Sequence, residues 1–164
     1  MKLEERAKKI KLLLMDCDGV LTDGRLYFSE TGESLKVFHV RDGQGIVMWH
    51  QAGFQTGIIT GRNSPIVIKR ANELGMHYIK VGSQDKVKDF AEILKESNII
   101  SEEVAYIGDD IPDISLMEIV GFPITVKDAA RDVKPFAKYI TKAKGGFGAV
   151  REVIDFLINA KTLS

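Results

Sequence analysis

Cysteine is almost missing from this chain. The single thiol, Cys17, excludes an internal disulfide framework and suits a reducing compartment, so a cytoplasmic setting is expected. Net charge is missing as well: Lys plus Arg number 23, and Asp plus Glu number 23. A nucleic-acid binder normally shows a basic excess, so no nucleic-acid partner is expected. A local cationic pocket for an anionic substrate stays open, because the total says nothing about distribution. Long apolar runs are absent too, and none reaches the length of a membrane span. The first residues carry Glu4 and Glu5 where a signal peptide carries basic residues only, so neither a leader nor a membrane association is expected. No repeat, low-complexity tract or linker interrupts the 164 residues, a length that suits one domain, 1–164, with a real core.

What is there is an alternation of apolar runs and amphipathic stretches. Apolar residues make up 45% and charged residues 28%, the profile of a globular chain. Strands are expected at Ile10 to Met15, ending at Ile58-Ile59, at Val104 to Ile107 and at Phe122 to Val126, with shorter ones at His77 to Val81 and Lys138 to Ile140. Between them lie helices with recognisable ends. Ser64 and Pro65 read as a cap and first turn, Gly75 as a stop, and Asp42 as the cap of a helix ending near Gly53. Lys86 to Ser97 and Gly148 to Ala160 carry apolar residues at helical spacing. Such alternation implies an α/β fold, a Rossmann-like parallel sheet with helices on both faces. Arg25 to Val40 breaks the pattern and reads as a β-hairpin insertion, about 24–40, turning around Glu30 to Glu33.

Ligands of open parallel sheets sit beyond the carboxyl ends of the strands. There the first run delivers Asp16-Cys17-Asp18-Gly19-Val20-Leu21-Thr22. Carboxylates spaced i and i+2 project to one side of an extended chain, and their repulsion invites a cation. Alone, this would be a solvated acidic turn. The second run ends in Thr60-Gly61-Arg62, whose hydroxyl, free N–H groups and guanidinium suit phosphate or carboxylate; alone, it would be a loop before a capped helix. Lys86 opens the next long helix and by itself would be a surface lysine. Finally, Gly108-Asp109-Asp110-Ile111-Pro112-Asp113 places three acids directly after a strand. Magnesium favours such carboxylates together with water and substrate phosphate, whereas helix capping is the plain alternative. The histidines, His39, His50 and His77, form no zinc-ligand spacing.

The ordered set Asp16-x-Asp18-Gly19-Val20-x-Thr22, Thr60-Gly61, Lys86 and Gly108-Asp109-Asp110-x-x-Asp113 resembles the four motifs of the haloacid dehalogenase superfamily. Within it, Phe38-His39-Val40-Arg41-Asp42-Gly43, Ile59-Thr60-Gly61-Arg62 and the tail from Gly145 to Glu152 are similar to the 3-deoxy-D-manno-octulosonate 8-phosphate phosphatases. The likeness runs from Lys11 to about Leu157 and departs at Ile79-Lys80-Val81-Gly82, where many relatives carry an aromatic residue and a glutamine.

The resemblance implies a magnesium-dependent phosphatase of a phosphorylated acid sugar in lipopolysaccharide inner-core synthesis. It makes Asp16 the nucleophile and Asp18 the acid and base. Mg2+ is held by Asp16, the Asp18 carbonyl and Asp109, with Asp110 and Asp113 acting behind them or through water. Thr60, Gly61 and Lys86 hold the phosphoryl group, and Arg62 takes the substrate carboxylate. No cap domain is expected; a homotetramer through the hairpin, with Leu26, Phe28, Leu35, Val37 and Phe38 buried, would cover each site. The glycine-rich tail, about 144–148, is either a flap over a neighbouring site or a loop into the last helix. Three other readings stay open: a phosphatase for the 9-phosphate of a nine-carbon acid sugar, a receiver-like phosphoacceptor, and an inactive scaffold of the same fold. The order of the motifs separates the chain from receivers, in which the lysine comes last.

Overall fold

Residues 1–163 are described in a computed structural model of the chain. In chain order the elements are α1 (Leu3–Lys9), β1 (Leu12–Met15), β2 (Tyr27–Ser29), β3 (Gly32–Leu35), α2 (Val40–Gln51), β4 (Gln55–Ile59) and α3 (Pro65–Glu73). There follow β5 (Tyr78–Lys80), α4 (Lys86–Ser97), β6 (Val104–Gly108), α5 (Ile114–Met117), β7 (Phe122–Thr125), β8 (Tyr139–Ile140) and α6 (Ala149–Thr162). Six strands form one sheet in the order β5-β4-β1-β6-β7-β8, every neighbouring pair parallel. β2 and β3 pair antiparallel outside it. The α/β architecture with a hairpin insertion is therefore the one adopted, and the described residues contain no cap domain.

The central strand shows why. All of Leu12–Met15 is buried, and successive side chains point to opposite faces. Leu13 and Met15 join Ala7 of α1, Trp49 of α2, Val67 of α3 and Leu157 of α6. Leu12 and Leu14 join Phe90 and Ile93 of α4 and Leu116 of α5. A strand covered on both faces must be apolar throughout, and each fully buried Leu or Met contributes about 1.5–3 kcal/mol. With β4 and β6 flanking β1, the carboxyl ends of these three strands open at one place, where Asp16, Thr60 and Asp109 follow.

Several helix ends match their sequence signals. Ser64 Oγ accepts from the Val67 N–H at 3.4 Å, and Gly75 takes φ +71° after α3. Asp85 accepts from the Lys88 N–H at 3.1 Å, which starts α4 at Lys86.

Three features differ from expectation. Asp42 does not cap α2; His39 does, with Nδ1 accepting from the Arg41 N–H at 3.1 Å. Asp42 lies in the first turn of α2, and its Oδ1 accepts instead from the Arg151 N–H at 2.9 Å, satisfying the start of α6. The hairpin strands are shorter than 24–40, since Lys36 to His39 leaves the ladder and Val40 is already helical. α1 was not expected from the sequence, because only Ala7 within it is buried and so short a helix has little periodicity.

Candidate active site

The backbone after β1 folds into a tight turn, in which the N–H groups of Val20, Leu21 and Thr22 all donate to the Cys17 carbonyl at 3.1, 2.9 and 3.3 Å. Thr22 Oγ1 accepts from the Gly19 and Gly24 N–H groups, both at 3.2 Å, and so clasps the loop. Gly19 takes φ +85°, and a side chain there would collide with the Asp109 carboxylate. Only glycine meets both demands. Cys17 is buried, and its thiol is pushed far above its ordinary range by burial and by the charge of Asp18. It is no nucleophile.

The turn aims Asp16 at the end of β6. Asp16 Oδ1 accepts from the Cys17 N–H at 2.7 Å, and Oδ2 lies 3.1 Å from Lys86 Nζ. Lys86 also donates to Asp113 Oδ1 at 2.7 Å and to the Tyr106 hydroxyl at 3.2 Å. Asp113 is fully buried: Oδ1 accepts from Tyr106 as well, at 2.5 Å, and Oδ2 from the Asp109 and Asp110 N–H groups at 2.9 and 3.2 Å. Both of its oxygens are taken by the protein. Gly108 leaves no room for a Cβ against it. Asp110 caps the next turn, accepting from the Ile111 N–H at 2.8 Å.

Asp16, Asp109 and Asp113 each bring a carboxylate oxygen within 4.8 Å of the others. Burial and then the charge of Asp113 push Asp16 up to about 6, with Lys86 opposing. Burial and the charges of Asp16 and Asp113 push Asp109 up to about 8. Burial works to lower the Lys86 ammonium, but Asp16 and Asp113 outweigh it and hold it above its ordinary value. The site is short of positive charge, which suits a hard divalent cation between the Asp16 and Asp109 carboxylates.

The opposite wall comes from β4 and the start of α4. Thr60, Gly61, Arg62 and Lys86 line, with Asp16, Asp18, Asp109 and Asp110, a cleft of about 650 Å³. Eight of the nine residues singled out from the sequence thus face one cavity, and Asp113 lies beneath it. Arg62 stands 5.5 Å above the Phe28 ring, with Nε 3.7 Å from Asp18 Oδ2. Sequence reasoning missed Tyr106, Ser83, Gln84 and the Lys36–Glu33 pair. Tyr106 had a signal, being the one polar side chain in an apolar run. Lys36, 18 positions from Asp18, had none.

The haloacid dehalogenase-like hydrolase family profile matches residues 78–154, which include Lys86 and the acidic cluster. The 3-deoxy-D-manno-octulosonate 8-phosphate phosphatase of Yersinia pestis is 43% identical over 157 residues, 96% of this chain and 84% of the relative. An alignment of that length takes in every residue of the cleft. The chain belongs to the 3-deoxy-D-manno-octulosonate 8-phosphate phosphatase family. The crystal structure of the Yersinia pestis member agrees with a TM-score of 0.95 at 42% identity, covering 98% of this chain and 86% of that one. The Moraxella catarrhalis member, 40% identical with a TM-score of 0.93 over 97% of this chain and 91% of its own, was crystallised with magnesium, phosphate and KDO.

Two segments that the phosphatase family resemblance singled out take these places. Of the hairpin side chains, Leu26, Phe28, Leu35 and Val37 are exposed. Phe38 differs from expectation, because it packs on the chain's own core beneath the Arg70 guanidinium, 5.7 Å away. In the tail, the Gly146 N–H donates to the Val20 carbonyl at 3.0 Å and the Gly145 N–H to Asp128 Oδ1 at 2.9 Å. Side chains at these two glycines would strike Gly19 and Thr22, so the tail braces the first loop of its own chain.

Proposed function

We propose that the chain is a magnesium-dependent phosphatase of 3-deoxy-D-manno-octulosonate 8-phosphate, working through a phosphorylated Asp16 in lipopolysaccharide inner-core synthesis. The observation that carries this is the Asp16 carboxylate, 3.1 Å from Lys86 and within 4.8 Å of an Asp109 oxygen, at the floor of an open cleft. Asp16 attacks phosphorus as the bond to the sugar oxygen breaks, and Asp18 gives that oxygen its proton. Water then attacks the same phosphorus, Asp18 takes the water's proton, and the bond to Asp16 breaks. Lys86, Thr60 and the Gly61 backbone hold the phosphoryl oxygens, where fixed donors stabilise charge that spreads in a loose transition state.

Asp16, Asp109 and the Asp18 carbonyl would hold magnesium, which when bound supplies the positive charge that the transferring group needs. Asp113 has no oxygen to spare for it and instead fixes Lys86 and the Asp109 backbone. Arg62 pairs with the substrate carboxylate, since its planar fork matches that group. A homotetramer through the hairpin is supported by the exposed Leu26, Phe28, Leu35 and Val37, and a cytoplasmic location by the free thiol of Cys17.

The test is phosphate release from a panel of sugar phosphates, with magnesium and with a chelator. Magnesium-dependent preference for the eight-carbon 8-phosphate is expected. Preference for a nine-carbon 9-phosphate would reassign the substrate, and no release from any would remove the phosphatase reading.

A further inference from the structure

Asp18 is gripped from the hairpin. Lys36 follows β3, and its side chain is only 2% exposed although Leu35 and Val37 on either side are open to solvent. Its Nζ lies 2.6 Å from Asp18 Oδ1 and 3.0 Å from a Glu33 oxygen. The other Glu33 oxygen accepts from Ser64 Oγ at 2.5 Å, and Ser64 caps α3 just beyond Arg62. Lys36 is therefore locked at both ends, to the residue that carries the proton and to the frame of the cleft.

Anchoring the hairpin is the plain account of this network, but it does not explain the charge. A buried ammonium carries a desolvation cost, and apolar side chains of similar volume often do as well or better for stability. What an apolar anchor would not do is orient a carboxylate. With Oδ1 held by Lys36, Asp18 Oδ2 is left toward Arg62 and the cleft. A group that gives a proton in one step and takes one in the next must present the same oxygen both times, and a misplacement of about 1 Å can cost on the order of 100-fold in rate.

We propose that Lys36 is a positioning residue for Asp18, fixed in turn by Glu33 and Ser64, an inference that rests on Asp18 being the proton carrier of the proposed phosphatase. The hairpin then belongs to the catalytic apparatus of its own subunit. The two half-reactions allow a selective test. A sugar alkoxide leaves phosphorus only with Asp18's proton, whereas p-nitrophenolate leaves without it. Hydrolysis of phosphorylated Asp16 needs Asp18 as base with either substrate.

Lys36→Met is measured against the sugar 8-phosphate in the steady state and against p-nitrophenyl phosphate by stopped flow. The expected kcat on the sugar phosphate falls about 10- to 100-fold, with KM changed less than about threefold. The nitrophenolate burst keeps a rate within about threefold of the unsubstituted protein and is followed by slow turnover. Lys36→Arg restores most of the loss. Equal loss in the burst and in sugar turnover, or no loss in sugar turnover, would overturn the positioning role. Should Lys36→Met not fold, Glu33→Gln keeps the ammonium and loosens it; the same selective pattern at about three- to tenfold is expected, and its absence overturns the proposal. An unsubstituted protein inactive on both phosphates would instead remove the phosphatase reading on which the proposal stands.

Discussion

Burial and then the charge of Asp113 drive the Asp16 carboxyl up to about 6, and burial and then the charges of Asp16 and Asp113 drive Asp109 up to about 8, against an ordinary value of 3.8. Without metal, the folded chain holds protons there that the unfolded chain has released. Stability from these groups is therefore lost as pH rises from about 4 toward 8. Magnesium held by both carboxylates, as proposed, needs them ionised, so its binding expels those protons. The Tm of the metal-free protein should fall across that window, and the increment in Tm from saturating magnesium should grow across it; an increment that shrinks would contradict the assignment of Asp109. Arg62→Ala should raise KM for the acid sugar while sparing an aryl phosphate, since only the sugar offers a carboxylate, and steady-state kinetics on both decides it. At this scale the sequence was informative wherever chemistry followed a strand end: Asp16, Thr60 and Asp109 each come directly after an apolar run. Lys36 was not legible, because its partner depends on where a hairpin folds.

Among the elements, the first loop and the glycine tail act as one piece. Gly145 and Gly146 lie so close to Gly19 and Thr22 that an added methyl has to move the loop that aims Asp16 and Asp18. Gly145→Ala should therefore lower both kcat and Tm, the latter by the equivalent of about 1–3 kcal/mol, as overpacking usually does. Thermal melts beside turnover assays check this, and full activity with an unchanged Tm would mean that the tail moves freely. The strands and the helices α3 and α4 were legible because their periods and caps are local signals. Asp42 was misplaced because a carboxylate near a helix start suits capping equally well at its own helix or at another. Only the fold shows that α6, 109 positions away, brings the Arg151 N–H to it.

On the scale of the whole molecule, parallel order followed from the alternation of strands and helices, and it gathers the motifs at the carboxyl ends of the central strands, with no cap domain among the described residues. What covers the cleft is not written in local pattern. If subunits close it through their hairpins, Phe28→Glu together with Val37→Glu should yield a monomer by light scattering, with KM for the sugar phosphate raised; an unchanged mass would place the contact elsewhere. The central claim, phosphoryl transfer through Asp16, is tested most directly by trapping the intermediate. Asp18→Asn with p-nitrophenyl phosphate forms it without needing the acid and stalls its hydrolysis. Quenching and borohydride reduction then convert a phosphorylated aspartate to homoserine, which peptide mass spectrometry locates. Homoserine at position 16, matching the burst of nitrophenolate in amount, is the result this account predicts; a full burst with an unmodified Asp16 would contradict it.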